Sequence, residues 1–81
     1  MWFVYILLCE DNSLYTGSTN NLEKRFQDHL KGKGSKYTRS HKPLKIVYSE
    51  NLESKSAALK REIEIKNWNR PKKIELLNII L

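Results

Sequence analysis

Cysteine is almost absent from this sequence: of 81 residues, Cys9 alone carries a thiol. An intrachain disulfide is excluded, and without a Cys-x-x-Cys pair the two histidines, His29 and His41, are too few for a structural zinc site. Such a chain suits a reducing interior, so a cytoplasmic location is expected. Acidic residues are scarce as well, nine against fifteen Lys and Arg, which leaves a net charge of +6. That excess favours a polyanionic partner, but charge alone gives neither fold nor activity. No long hydrophobic run exists. The apolar opening Trp2-Phe3-Val4-Tyr5-Ile6-Leu7-Leu8 lacks a positive leader, meets Glu10 and Asp11 at once, and falls far short of the ~20 residues that span a bilayer. It reads as a buried strand, and no membrane partner is expected. Internal repeats, low-complexity segments and interdomain linkers are missing too. The expectation is one domain over residues 1–81 with a modest core, since a chain this short buries only roughly 60% of its unfolded surface.

What is present begins with two tyrosines ten positions apart. Tyr5 lies in the apolar run and Tyr15 in Leu14-Tyr15-Thr16-Gly17, with the turn-forming cluster Glu10-Asp11-Asn12-Ser13 between them. The segment reads as two antiparallel strands joined by a short loop, which could bring both tyrosines to one site. Thr19-Asn20-Asn21-Leu22-Glu23 then offers an N-cap at Asn20 with Glu23 three residues on, and predicts a helix over 21–30. Its apolar stripe is Leu22, Phe26 and Leu30, and Arg25 and His29 share or border that face. Two readings fit them: Arg25 snorkels to solvent while His29 caps the helix end, or both project into a cleft beside the hairpin.

Residues 31–42 read as a loop by their Gly and Ser content, and five of the twelve are cationic: Lys31, Lys33, Lys36, Arg39 and Lys42. Such a loop builds no core but can hold phosphates, with Tyr37 available for base stacking; the alternative is a merely solvated basic loop. Pro43 closes it. A third strand is predicted over 45–50 and a helix from Ser54 or Lys55 to Asn67, with Ala58, Leu59, Ile63 and Ile65 on its apolar side. Glu62 borders that stripe and Lys66 follows one turn later, so the two could simply pair on the surface. Pro71 fits the first turn of a last helix over 71–80, with Trp68 where the two helices meet.

The predicted fold class is therefore α/β in the α+β sense, with the order β-β-α-β-α-α and a three-stranded, mainly antiparallel sheet packed with helices. The residues singled out form a pattern that resembles the GIY-YIG nuclease domain. Phe3-Val4-Tyr5 stands at the first triplet of that family, Tyr15-Thr16-Gly17 at the second, and Arg25 and Glu62 fall on the expected helices. Asn21-Leu22-x-x-Arg25-Phe26-x-x-His29 adds to the match. The resemblance covers essentially the whole chain and points to small stand-alone bacterial members without an added DNA-binding module. Phe3-Val4 in place of Gly-Ile, and Thr16 in place of Ile, depart from the name-giving motif but keep both hydroxyls, as subfamily variation would.

The resemblance implies a metal-dependent endonuclease, a hydrolase cutting DNA in repair or recombination, directed by branched, nicked or single-stranded structure or only weakly by sequence. Glu62 would hold Mg²⁺ or Mn²⁺, which needs few protein ligands beside water and phosphate. Arg25 would fork onto the phosphate. Tyr5 would take the proton from water, although a phenol near pKa 10 needs roughly 4 kcal/mol of help to ionise at neutral pH, and without that help it would only orient the water. Tyr15 would bond the nucleophile, the phosphate or Tyr5, His29 would relay a proton or contact the phosphate, and Gly17 would let the backbone approach the phosphate. The family also places an amide or lysine beside the metal from late in the domain, a place open to Asn78 or Lys66. The cations of 31–42, together with Lys66, Arg70, Lys72 and Lys73, are the expected contacts to DNA, with RNA the further candidate and a targeting protein a conceivable partner. The rival reading is a non-catalytic, basic nucleic-acid-binding module that keeps the nuclease fold.

Overall fold

The structure is a computed structural model and describes residues 1–81. Two strands, β1 (Trp2–Cys9) and β2 (Leu14–Thr19), form the expected antiparallel hairpin. Its turn closes because Asn12 takes a left-handed backbone (φ 70°), which a short amide side chain tolerates, and because the Asp11 carboxylate accepts from the Ser13 backbone N–H (3.1 Å) and hydroxyl (2.6 Å). β3 (Pro43–Leu52) runs antiparallel along the other side of β1, giving the order β2-β1-β3. It is longer than predicted: Pro43 opens the strand opposite Cys9, a first position on an edge strand where a missing N–H does no harm.

Helices α1 (Leu22–Leu30), α2 (Lys36–Ser40), α3 (Lys55–Lys66) and α4 (Arg70–Leu76) complete the fold. Capping side chains start each of them: Asn21 accepts from Lys24 N–H, Ser35 from Thr38, Ser54 from Ala57 and Asn69 from Lys72. Asn21, not Asn20, is therefore the first cap, and α1 begins one residue later than predicted. The predicted loop also contains a helix, α2, which exists because Ser35 caps it and Thr38 finds a buried partner. The order is thus β-β-α-α-β-α-α. α4 ends at Leu76 rather than at residue 80. Asn78 turns left-handed (φ 53°), and the Ile79 N–H bonds back to the Ile74 carbonyl at 3.0 Å, which folds Ile79 into the core.

Alternation along β1 decides what each face of the sheet meets, since directly paired residues share a face. Val4 and Ile6, paired with Ser18 and Thr16, belong to one face, where they join Ala58, Ile65 and Ile79 in the hydrophobic core. Tyr5 and Leu7, paired with Gly17 and Tyr15, belong to the other. The inward side of α3 carries Ala58 and Ile65, while Leu59 and Ile63 of the predicted apolar side are exposed. α1 shows the same reversal: Leu30 is exposed and His29 is the helix's buried residue. No helix is long and apolar enough to cross a membrane.

Candidate nucleic-acid interface

The paired tyrosines do meet. Their ring centroids are 6.4 Å apart, and His29 sits edge-on to both, 5.7 Å from Tyr5 and 5.1 Å from Tyr15. Tyr5 and His29 are each 1% exposed, so their polar atoms must be satisfied within the protein. Tyr5 Oη lies 2.7 Å from His29 Nε2, and His29 Nδ1 lies 2.7 Å from Thr38 Oγ1. If the phenol donates to Nε2, then Nδ1–H donates to Thr38 and the Thr38 hydroxyl turns to Ser35, 3.0 Å away. This assignment leaves no buried hydroxyl hydrogen without an acceptor. Gly34 makes the packing possible, because a Cβ there would stand inside the imidazole. Gly17 serves Tyr5 in the same way: a Cβ would lie 2.5 Å from Tyr5 Oη, so the close neighbour of this backbone is the phenol.

Electrostatics fix the protonation of the pair. Burial, and then the neighbouring Tyr15, push the Tyr5 phenol far above its usual range, against an opposing pull from the Arg25 guanidinium. Burial, then the Arg25 charge, lower His29 to about 4. At neutral pH the pair is therefore a neutral phenol and a neutral imidazole. Arg25 does not stand free: its Nη2 donates to the Gly34 carbonyl at 2.8 Å, tying α1 to the segment that leads into α2.

Glu62 lies at the edge marked by β2. Ser18 Oγ donates to Oε1 at 2.5 Å and Lys66 Nζ contacts Oε2 at 2.6 Å, while the same ammonium stands 5.9 Å from the centre of the Tyr15 ring. Both carboxylate oxygens are thus occupied by protein. A divalent cation at Glu62 would have to displace Lys66 and complete its shell with water and phosphate oxygens, for no group of three His, Cys, Asp or Glu side chains stands together. Of the two late-domain candidates, Asn78 is exposed at the end of α4 and Lys66 pairs with Glu62 from α3. Lys73, 9% exposed, reaches in from α4 and donates to Thr16 Oγ1 at 3.2 Å.

The remaining expected contacts separate into two kinds. Lys31, Lys33, Lys36, Arg39 and Lys42 are exposed. The Arg70 to Lys73 cluster is divided: Arg70 Nε donates to the Asn12 carbonyl at 2.9 Å, Lys73 is buried, and exposed Lys72 lies 5.5 Å over the Trp68 ring. Tyr37 is part of an aromatic stack between Tyr15 (5.7 Å) and His41 (4.0 Å, planes within 8°). Ser18, Gly34 and Thr38 were missed in the sequence, and Lys73, expected as a contact to DNA, is instead a buried donor to Thr16. Its spacing carried a signal of that burial, since it lies three residues after Arg70 and four before Leu77, on the inward side of α4.

Comparison with known proteins bears on what this cluster does. The family model described as the GIY-YIG catalytic domain matches residues 1–75. A UPF0213 protein of Staphylococcus haemolyticus is 49% identical over 75 residues, covering 93% of this chain and 92% of its own. A UPF0213 protein of Natronomonas pharaonis is also 49% identical, covering 93% and 88%, so the group extends from bacteria to archaea. The solution NMR structure of the UPF0213 protein of Bacillus halodurans superposes with a TM-score of 0.61 at 42% identity, covering 96% of this chain and 84% of that one.

These findings correct the expectation of a metal-dependent endonuclease and hydrolase of DNA repair. The relatives are UPF0213 proteins whose names carry no nuclease activity, and the chain has no cluster of three metal-ligating side chains. The α+β topology, the paired tyrosines and the match over 1–75 together make this chain a member of the GIY-YIG family, within its UPF0213 group.

Proposed function

We propose that the protein is a non-catalytic, basic nucleic-acid-binding module that keeps the GIY-YIG fold. One observation carries the reading: the five cations of residues 31–42 are exposed on a segment that the buried Tyr5–His29–Thr38 chain fixes to the sheet. A mobile basic loop would lose ordering entropy on binding, whereas cations held around α2 are already placed for phosphates. The net charge of +6 supports a polyanionic partner, DNA or RNA. The buried hydrogen bonds then serve as scaffold, which accounts for a phenol and an imidazole both kept neutral.

Fluorescence anisotropy with labelled DNA and RNA tests this. With roughly five phosphate contacts the affinity should fall with a log–log salt slope of about −4 to −5 on duplex DNA. The oligonucleotides should emerge from the same samples uncut, with or without Mg²⁺. Absence of salt-sensitive binding, or Mg²⁺-dependent cutting lost on Glu62→Ala, would overturn the reading.

A further inference from the structure

The aromatic stack offers a binding surface that phosphate contacts alone do not explain. Tyr15, Tyr37 and His41 lie in sequence, with Tyr37 tilted 25° from Tyr15 and nearly parallel to His41 at a 4.0 Å centroid distance. His41 is positioned from several sides. Its Nδ1 lies 3.0 Å from the Tyr37 carbonyl, its Nε2 lies 3.5 Å from Asp11 Oδ2 in the hairpin turn, and Tyr37 covers one ring face. Both nitrogens have a protein neighbour, yet the side chain remains 36% exposed. With Tyr37 on one face, the opposite face of the ring is the one a further aromatic ring can stack on. Tyr37 is itself 36% exposed, unusual for a ring with aromatic neighbours on two sides. The surroundings are cationic, with Lys36, Arg39 and Lys42 exposed within or beside the same short helix.

We propose that this stack is the platform for an unpaired base, so that the protein prefers single-stranded nucleic acid to duplex. The proposal rests on the nucleic-acid reading above and narrows it to a substrate class. Every base has a π-face, so an aromatic stack that ends in an open ring can be extended by any base that is not already stacked in a duplex. The flanking cations suit the phosphates on either side of that base. An apolar peptide side chain would use the rings but leave the cations without partners. A duplex would use the cations but leave the rings unused.

The test uses the full chain with a short oligonucleotide carrying 2-aminopurine, supplied as single-stranded DNA, as the corresponding RNA and as DNA duplex. Single strands should bind roughly fivefold or more tightly than duplex, with quenching of 2-aminopurine on binding, as expected for one stacked base. His41→Ala should remove that preference and the quenching while leaving the salt slope unchanged. His41→Phe should restore both, because it keeps an aromatic ring and discards only the hydrogen bonds. Lys42→Ala should instead weaken single strand and duplex alike and make the salt slope shallower by about one. Quenching by DNA, RNA or both supports the proposal and identifies the source of the base. Salt-sensitive binding with equal affinity for duplex and no quenching would overturn the stack but leave the binding reading intact. Absence of binding to all three would overturn both.

Discussion

On one face of the sheet Val4 and Ile6 pack against Ala58, Ile65 and Ile79; on the other Tyr5 bonds to His29, which bonds to Thr38, which bonds to Ser35. The same three strands support both layers. The apolar layer depends on area removed from water, which is non-directional and lets neighbours adjust partially when an atom is lost. The polar layer depends on each donor facing its acceptor, so its stability resides in orientation and its weak points are backbone positions such as Gly34. The comparison teaches that a domain this small can bury two polar rings against its sheet when every polar atom they carry is matched.

The largest effect expected from breaking this contrast is on the apolar side. Ile65→Ala removes a fully buried side chain and should cost about 3–4 kcal/mol in urea unfolding, with no change in how stability depends on pH. The polar side should respond to pH instead. His29 titrates near 4 in the folded chain against 6.5 when unfolded, so between those values only the unfolded chain takes the proton. The stability present above pH 6.5 should therefore drain away as pH falls towards 4, by on the order of 3 kcal/mol at 1.36 kcal/mol per unit. Comparing unfolding midpoints of the wild type and His29→Gln across that window isolates this from the carboxylates, and equal slopes would mean that His29 does not carry it.

A smaller effect is expected from Gly34→Ala, which drives one methyl group into the imidazole ring and forces the ring or the segment to shift. It should cost about 2 kcal/mol, as overpacking does, and should shift the His29 ring resonances in an NMR spectrum more than those of Ile65. If the ring stayed in place, Gly34 would be no seat for it. The smallest effect is a control belonging to neither face. Lys24 and Asp28 pair at 3.1 Å on the outer side of α1, with the Lys24 side chain 70% exposed. Lys24→Ala should change the thermal midpoint by no more than a few tenths of a kcal/mol equivalent.

The apolar layer was largely legible in the sequence, and the polar layer only in fragments. The hairpin could be read because a polar turn interrupts two strand-forming runs, and α3 could be placed from Ser54 or Lys55 onwards because its residues favour a helix locally. Tyr5, Tyr15, Arg25 and His29 could be singled out by spacing. Their partners could not: Thr38 lies in a Gly-, Ser- and Lys-rich stretch that reads as loop, and its burial follows from a hydrogen bond to a helix nine residues back. Leu30, Leu59 and Ile63 looked buried and are exposed, because hydrophobicity says that a side chain prefers the interior but not whether a small core has room for it.

By itself the sequence determined the strand alternation, the turn, the basic excess and the exclusion of an intrachain disulfide, all of which follow from residue type and short-range spacing. Only the tertiary structure decided that His29 rather than Leu30 faces inward, that Lys73 reaches Thr16, that Glu62 is already occupied by Ser18 and Lys66, and that Tyr37 joins a stack instead of standing alone. The reason is physical: hydrogen bonds and ring contacts between residues distant in the chain depend on where the sheet places each backbone to within about an ångström, a precision that local propensity does not carry.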